Sequence, residues 1–189
     1  MVAFFLMNLS AAYAQFVCGG SANGADPSTG GGSTAVAGSV ACGAGVTASG
    51  RNSFAAGLAS GGFDTVDAQG KRSIAIGVGV FGATIAKGTE SIAIGSGAFA
   101  GGDSSIAIGD SFTSAGNGAQ NIAIGGAING TFQNTTVVGG TAIANGSNTV
   151  LMGQFAGGND VADNAVAIGQ NAQIKGDNTT CRAGSRSFS

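Results

Sequence analysis

The sequence predicts an all-β chain. It should fold as a parallel β-roll, a solenoid of about ten coils of 14–20 residues, each with two short strands and two turns. Three observations carry this. Ser91-Ile92-Ala93-Ile94-Gly95 recurs nearly unchanged at 73–77, 105–109 and 121–125, and more loosely at 39–43, 53–57, 135–139, 149–153 and 165–169. From first residue to first residue the gaps are 14, 20, 18, 14, 16, 14, 14 and 16, all even. A strand has a side-chain period of two, so even insertions lengthen a turn without swapping faces. A helical repeat has no reason to avoid odd gaps. Finally, 37 glycines with no histidine and no tryptophan in 189 residues is not the composition of an ordinary globular enzyme.

Within one coil, take the first residue of each copy as position zero. Positions one and three are mostly β-branched: Ile74/Ile76, Ile92/Ile94, Ile106/Ile108, Ile122/Ile124 and Val166/Ile168. They share one face of a strand, and β-branched side chains suit a buried pleated surface. The expectation is that these side chains point into the roll. Position two holds small residues, among them Ala75, Ala93, Ala107, Ala123 and Ala167, and is expected to point outward. A strand apolar on both faces is normally covered on both. The alanine stripe is therefore the candidate subunit interface of a homo-oligomer.

Position four is glycine in every copy, which predicts a turn with positive φ or close backbone approach. A second, weaker strand follows. Its positions seven and nine, such as Val46/Ala48 and Ala98/Ala100, should face inward. Position eight then faces outward. It offers Thr47, Phe99, Thr113, Ile143 and Gln173, with Asn129 in the altered coil at Asn121, as candidate ligand-facing residues.

The alternation of Ser-Ile-Ala-Ile-Gly with Ser96-Gly97-Ala98-Phe99-Ala100-Gly101-Gly102-Asp103 resembles the head repeats of trimeric autotransporter adhesins, the YadA-like heads. The resemblance covers about Ser39 to Asn178. It implies a left-handed roll and a homotrimer about one axis. It also implies display on a Gram-negative outer membrane and non-catalytic, virulence-linked adhesion to host matrix, cells or surfaces.

Taken in order, residues 1–14 are expected to be a secretory signal. They have an apolar core and end Ala12-Tyr13-Ala14, a small-residue cleavage pattern, although the usual basic start is missing. Residues 15–38, rich in Gly and Ser and holding Pro27, read as a flexible lead-in. Residues 39–178 are the roll. From 179 to 189 the pattern fails, because Arg182 falls on an expected core position; this stretch reads as a degenerate tail or the start of a neck. Stalk heptads and barrel strands are not recognisable, so membrane attachment is expected only through an anchor outside these residues.

Sites for chemistry are not evident: no catalytic residues, no cofactor and no metal are expected. Without histidine there is no Ser-His-Asp triad and no imidazole ligand. Cys18, Cys42 and Cys181 lack C-x-x-C spacing, and Cys42, at position three, reads as a small buried hydrophobe. A net charge of −2 argues against a nucleic-acid partner. Two other solenoid functions compete with an adhesin. A hexapeptide-like acyltransferase needs six-residue periodicity and usually a catalytic histidine. An ice-binding solenoid needs a regular outer Thr ladder, and position eight is too mixed.

Overall fold

The structure, a computed structural model, describes residues 16–19, 33–59, 65–79, 82–110, 113–125, 127–128, 132–157 and 162–182. The described residues contain strands and turns and no helix. One parallel sheet of eleven strands runs the length of the roll, from Phe16–Gly19 through Val40–Ala44 and the motif strands to Thr180–Arg182. Opposite it lies a second parallel sheet of five strands, Thr34–Ala35, Val46–Ala48, Val66–Ala68, Thr84–Ala86 and Phe99–Ala100. Ala127–Ile128 pairs with Ile143–Ala144, and isolated bridges extend that side to Gln173. The chain is thus a parallel β-solenoid of about nine turns. Each motif pairs with the next position for position: Ile106 with Ile92 and Ile122, Ala107 with Ala93 and Ala123.

The facing of the first sheet is the reverse of the expectation. Ala75, Ala93, Ala107, Ala123 and Ala167 are 0 % exposed within the single chain and fill the interior, so they are not a subunit interface. Ile74, Ile76, Ile92, Ile94, Ile106, Ile108, Ile122, Ile124, Val166 and Ile168 point outward; Ile76 is 39 % and Ile168 47 % exposed. The reason is thickness. Ordinary stacked sheets stand ~10 Å apart, a gap that large side chains fill. A coil of two three-residue strands closed by tight turns leaves room for methyl groups. From the other side Val46, Ala48, Ala98, Ala100, Ala142 and Ala144 complete this thin core.

Position zero is also buried in the coils from Ser39 to Ala165, and at several of them, Ser39 and Asn121 among them, its hydroxyl or amide ties coil to coil. Ser39 Oγ donates to Gly50 O at 2.7 Å and accepts from Ser53 N at 3.1 Å. Asn121 Nδ2 donates to Ala115 O (2.9 Å), Gly118 O (3.0 Å) and Phe132 O (2.7 Å), while its Oδ1 accepts from Thr135 N at 3.0 Å. Buried polar groups need such partners.

Glycine at position four behaves as expected. At Gly95 φ is 123°, and an added Cβ would lie 1.6 Å from Gly109 O. A second left-handed column was not foreseen. The residue before position zero has φ between 53° and 61° in every coil from Asn52 to Asn178. Asparagine tolerates this backbone well, and it occupies Asn52, Asn134, Asn148, Asn164 and Asn178.

The roll also extends past its expected ends. Phe16–Gly19 and Thr34–Ala35, inside the expected lead-in, are strands, and Thr180–Arg182 pairs with Val166–Ile168. Cys181 takes the inward position two and Arg182 the outward position three, so the arginine breaks nothing. Residues 1–14, the expected signal, lie outside the described residues.

Candidate functional site

Among the described residues, the interior is filled by the small apolar side chains of the two sheets. Among the described residues, no three His, Cys, Asp or Glu side chains cluster so as to hold a metal. No described helix is long and apolar enough to cross a membrane. What remains are two outer faces and two turn rims.

The outer face of the eleven-stranded sheet is a double column of large apolar side chains. Val40, Phe54, Ile74, Ile92, Ile106 and Ile122 stack in one file, and Ile76, Ile94, Ile108 and Ile124 in the other. Continuous apolar surface of this kind marks an interaction site on a soluble molecule. These large apolar side chains lie one residue to either side of the alanines at which an interface was expected.

The outer face of the second sheet is mixed. Its register runs Thr34, Thr47, Asp67, Ile85, Phe99 and Ser114. Ile143, Gly157 and Gln173 continue the file. Of the expected ligand-facing residues, Thr47, Phe99 and Gln173 stand half-buried in it and Ile143 stands exposed. Thr113 does not: it is 1 % exposed and faces inward, with Ser114 in its expected place. Counted from position zero, Ser114 stands one residue further along its coil than Phe99 does in the coil before, so the strand is shifted by one. Asn129 lies outside the described residues. Asp67 and Ile85 were missed because the 20- and 18-residue coils carry them past position eight. The inward pairs Val66/Ala68 and Thr84/Ala86 were the available signal.

Cys42 is likewise not a core residue. It is half-buried on the outward face and disulfide-bonded, and Cys18 stands opposite it in the strand register. Cys181 is the buried, free cysteine.

Residues 86–111 and 162–180 match the YadA head domain repeat, in two copies. The chain carries YadA-like head repeats. The first YadA match contains both Ser91–Gly95 and Ser105–Gly109, and the second contains Ala165–Gly169. In all three the alanine at position two lies inside and the apolar pair lies outside. No curated protein gives a significant match to the chain.

Proposed function

We propose that this chain is the head module of a cell-surface adhesin. It is exported to a Gram-negative outer surface, assembled as a homotrimer and non-catalytic. The observation that carries the reading is the isoleucine ladder on a YadA-type roll. Three such faces turned toward one axis would bury apolar surface that a lone chain leaves in water. Assembly through one shared patch also fits the regular repeat, since every coil offers the same contact.

The ligand is a component of host matrix, cells or surfaces, and it meets what the trimer leaves free. The outer file of the second sheet is the candidate surface, with Thr47, Phe99, Ile143 and Gln173, extended by Asp67, Ile85 and Ser114. Coils stack ~4.8 Å apart, so these side chains form shallow columns and not a pocket. Weak contacts repeated along the roll and on three faces add by avidity.

The test is Phe99→Ser with Ile143→Ser, scored for binding to plates coated with collagen, fibronectin or laminin. Lost binding with an unchanged mass and melting temperature supports the surface. Unchanged binding moves the ligand to the turns.

A further inference from the structure

We propose that the turns at 49–52, 69–72 and 87–90 form a strip that binds a linear polyanionic polysaccharide, a sulfated glycan chain. Four of the seven basic residues of this chain, Arg51, Lys71, Arg72 and Lys87, fall in these three turns on successive coils, and all four are exposed. The register sets Arg51 beside Lys71. Phe54 pairs with Ile74 on one side of the turn and Thr47 with Asp67 on the other, and both offsets carry residue 51 onto 71. One strand spacing, ~4.8 Å, separates their backbones. Like charges directly opposite on neighbouring strands are destabilising.

Acidic neighbours relieve this only in part. Glu90 forms an ion pair with Arg72. Asp67 accepts from Ser49 Oγ at 2.8 Å and Gln69 Nε2 at 2.9 Å. Asp103 accepts from the Thr89 N–H at 2.7 Å.

Folding does not require these cations. One backbone hydrogen bond recurs along the rim: Arg72 N–H to Arg51 O (2.9 Å), Glu90 N–H to Lys71 O (2.8 Å), Asn134 N–H to Ala119 O (3.2 Å) and Asn148 N–H to Gln133 O (2.9 Å). Ala119 and Gln133 thus hold the place of Arg51 and Lys71, and the turn closes equally well with uncharged side chains. The cations add a charge ladder to three coils that would fold without it.

The strip also has relief. A cavity of about 470 Å³ opens at its end, lined by Val36, Ala37, Gly38, Ser49, Arg51 and Asn52. Its lining carries apolar side chains, Val36 and Ala37, together with the Arg51 guanidinium, a mixture that suits a sugar ring bearing an anionic group. The three turns contain no aromatic side chain on which a base would stack, and stacking is what single-stranded nucleic acid sites rely on. Anionic groups repeating along a saccharide chain match cations repeating coil by coil. The inference does not depend on how the roll assembles.

The experiment titrates the full chain with a heparin decasaccharide at 50 and 200 mM NaCl. The main variant is Arg51→Gln, Lys71→Gln, Lys87→Gln; a control variant, Lys175→Gln with Arg182→Gln, removes cations elsewhere. With three anionic contacts, counterion release predicts roughly twentyfold to fortyfold weaker binding at the higher salt. The main variant should lose tenfold or more, and the control should bind like the wild type. Should the main variant fail to fold by circular dichroism, Lys71→Gln and Lys87→Gln singly should each weaken binding by two- to fivefold. The proposal is overturned if heparin does not bind at 50 mM NaCl, if the control loses as much as the main variant, or if the folded single variants bind unchanged. It is also overturned if a charge-matched single-stranded DNA oligonucleotide binds as tightly as heparin.

Discussion

Replacing Ala107 by leucine tests the inverted facing of the roll. Ala107 is 0 % exposed and stands in register between Ala93 and Ala123, both also fully buried. Leucine adds three carbons where the opposite sheet leaves space for methyl groups. Overpacking a well-filled core costs about 1–3 kcal/mol and sometimes more. Here both neighbouring coils must yield, so the upper end, about 3 kcal/mol, is expected. Domain stabilities are about 5–15 kcal/mol, so that is a large fraction. Each coil touches chiefly its neighbours, so a fault in the middle also uncouples the halves of the solenoid. Urea unfolding followed by circular dichroism should show a lower midpoint and a broadened or two-step transition. Ile108→Leu, one residue along and on the outside, should cost less than about 1.5 kcal/mol. If Ala107→Leu unfolds at the wild-type midpoint, position two does not line the interior and the facing argued above is wrong.

Other substitutions probe the remaining layers of the coil. Leu151 is fully buried where the other position-two residues are mostly alanine. Leu151→Ala should cost about 2–5 kcal/mol in a denaturant series through the cavity it leaves. Asn121→Ala removes the side chain that serves three carbonyls and the Thr135 N–H. Leaving buried groups unsatisfied costs about 1–3 kcal/mol each, so the melting temperature should fall by more than for Ser39→Ala, whose hydroxyl serves one carbonyl and one N–H.

Much of this fold was legible because a strand repeat writes itself in even numbers. The gaps from Ser39 to Ala165 gave the coil, and Gly43 to Gly169 gave one of its turns. Facing was not legible from pattern alone. Positions one, two and three are all apolar in Ile92-Ala93-Ile94, and periodicity does not say which face is inside. Size decides it in most coils, since position two is mostly alanine and the large side chains at positions one and three are the ones left outside, while Val137 and Leu151 show that a larger residue can be housed inside. The same reasoning explains Arg182, which looked like a broken core position and is an outward one. Thr113 failed for a local reason, a shift of one residue that sets Ser114 and not Thr113 opposite Phe99. Cys42 was taken for core through the same inversion, and the disulfide it carries has no signature in the spacing of three cysteines. The outer file of the second sheet was read correctly at Thr47, Phe99, Ile143 and Gln173 because those coils keep the shorter spacing between their strands.

The central claim is that the isoleucine face is covered by other copies of this chain. Ile108 and Ile124 are 37 % and 39 % exposed in the single chain. Full burial of such a side chain contributes about 1.5–3 kcal/mol, so covering the remaining two-fifths contributes roughly 0.6–1.2 kcal/mol each. Over six side chains in a trimer that is roughly 4–7 kcal/mol, or about three to five powers of ten in the association constant. Sedimentation equilibrium at micromolar concentration should give three times the chain mass for the wild type. It should give the single-chain mass, with retained β-type circular dichroism, for Ile108→Ser with Ile124→Ser. A wild-type chain that sediments as a folded monomer, or a double variant that stays a trimer, contradicts the account.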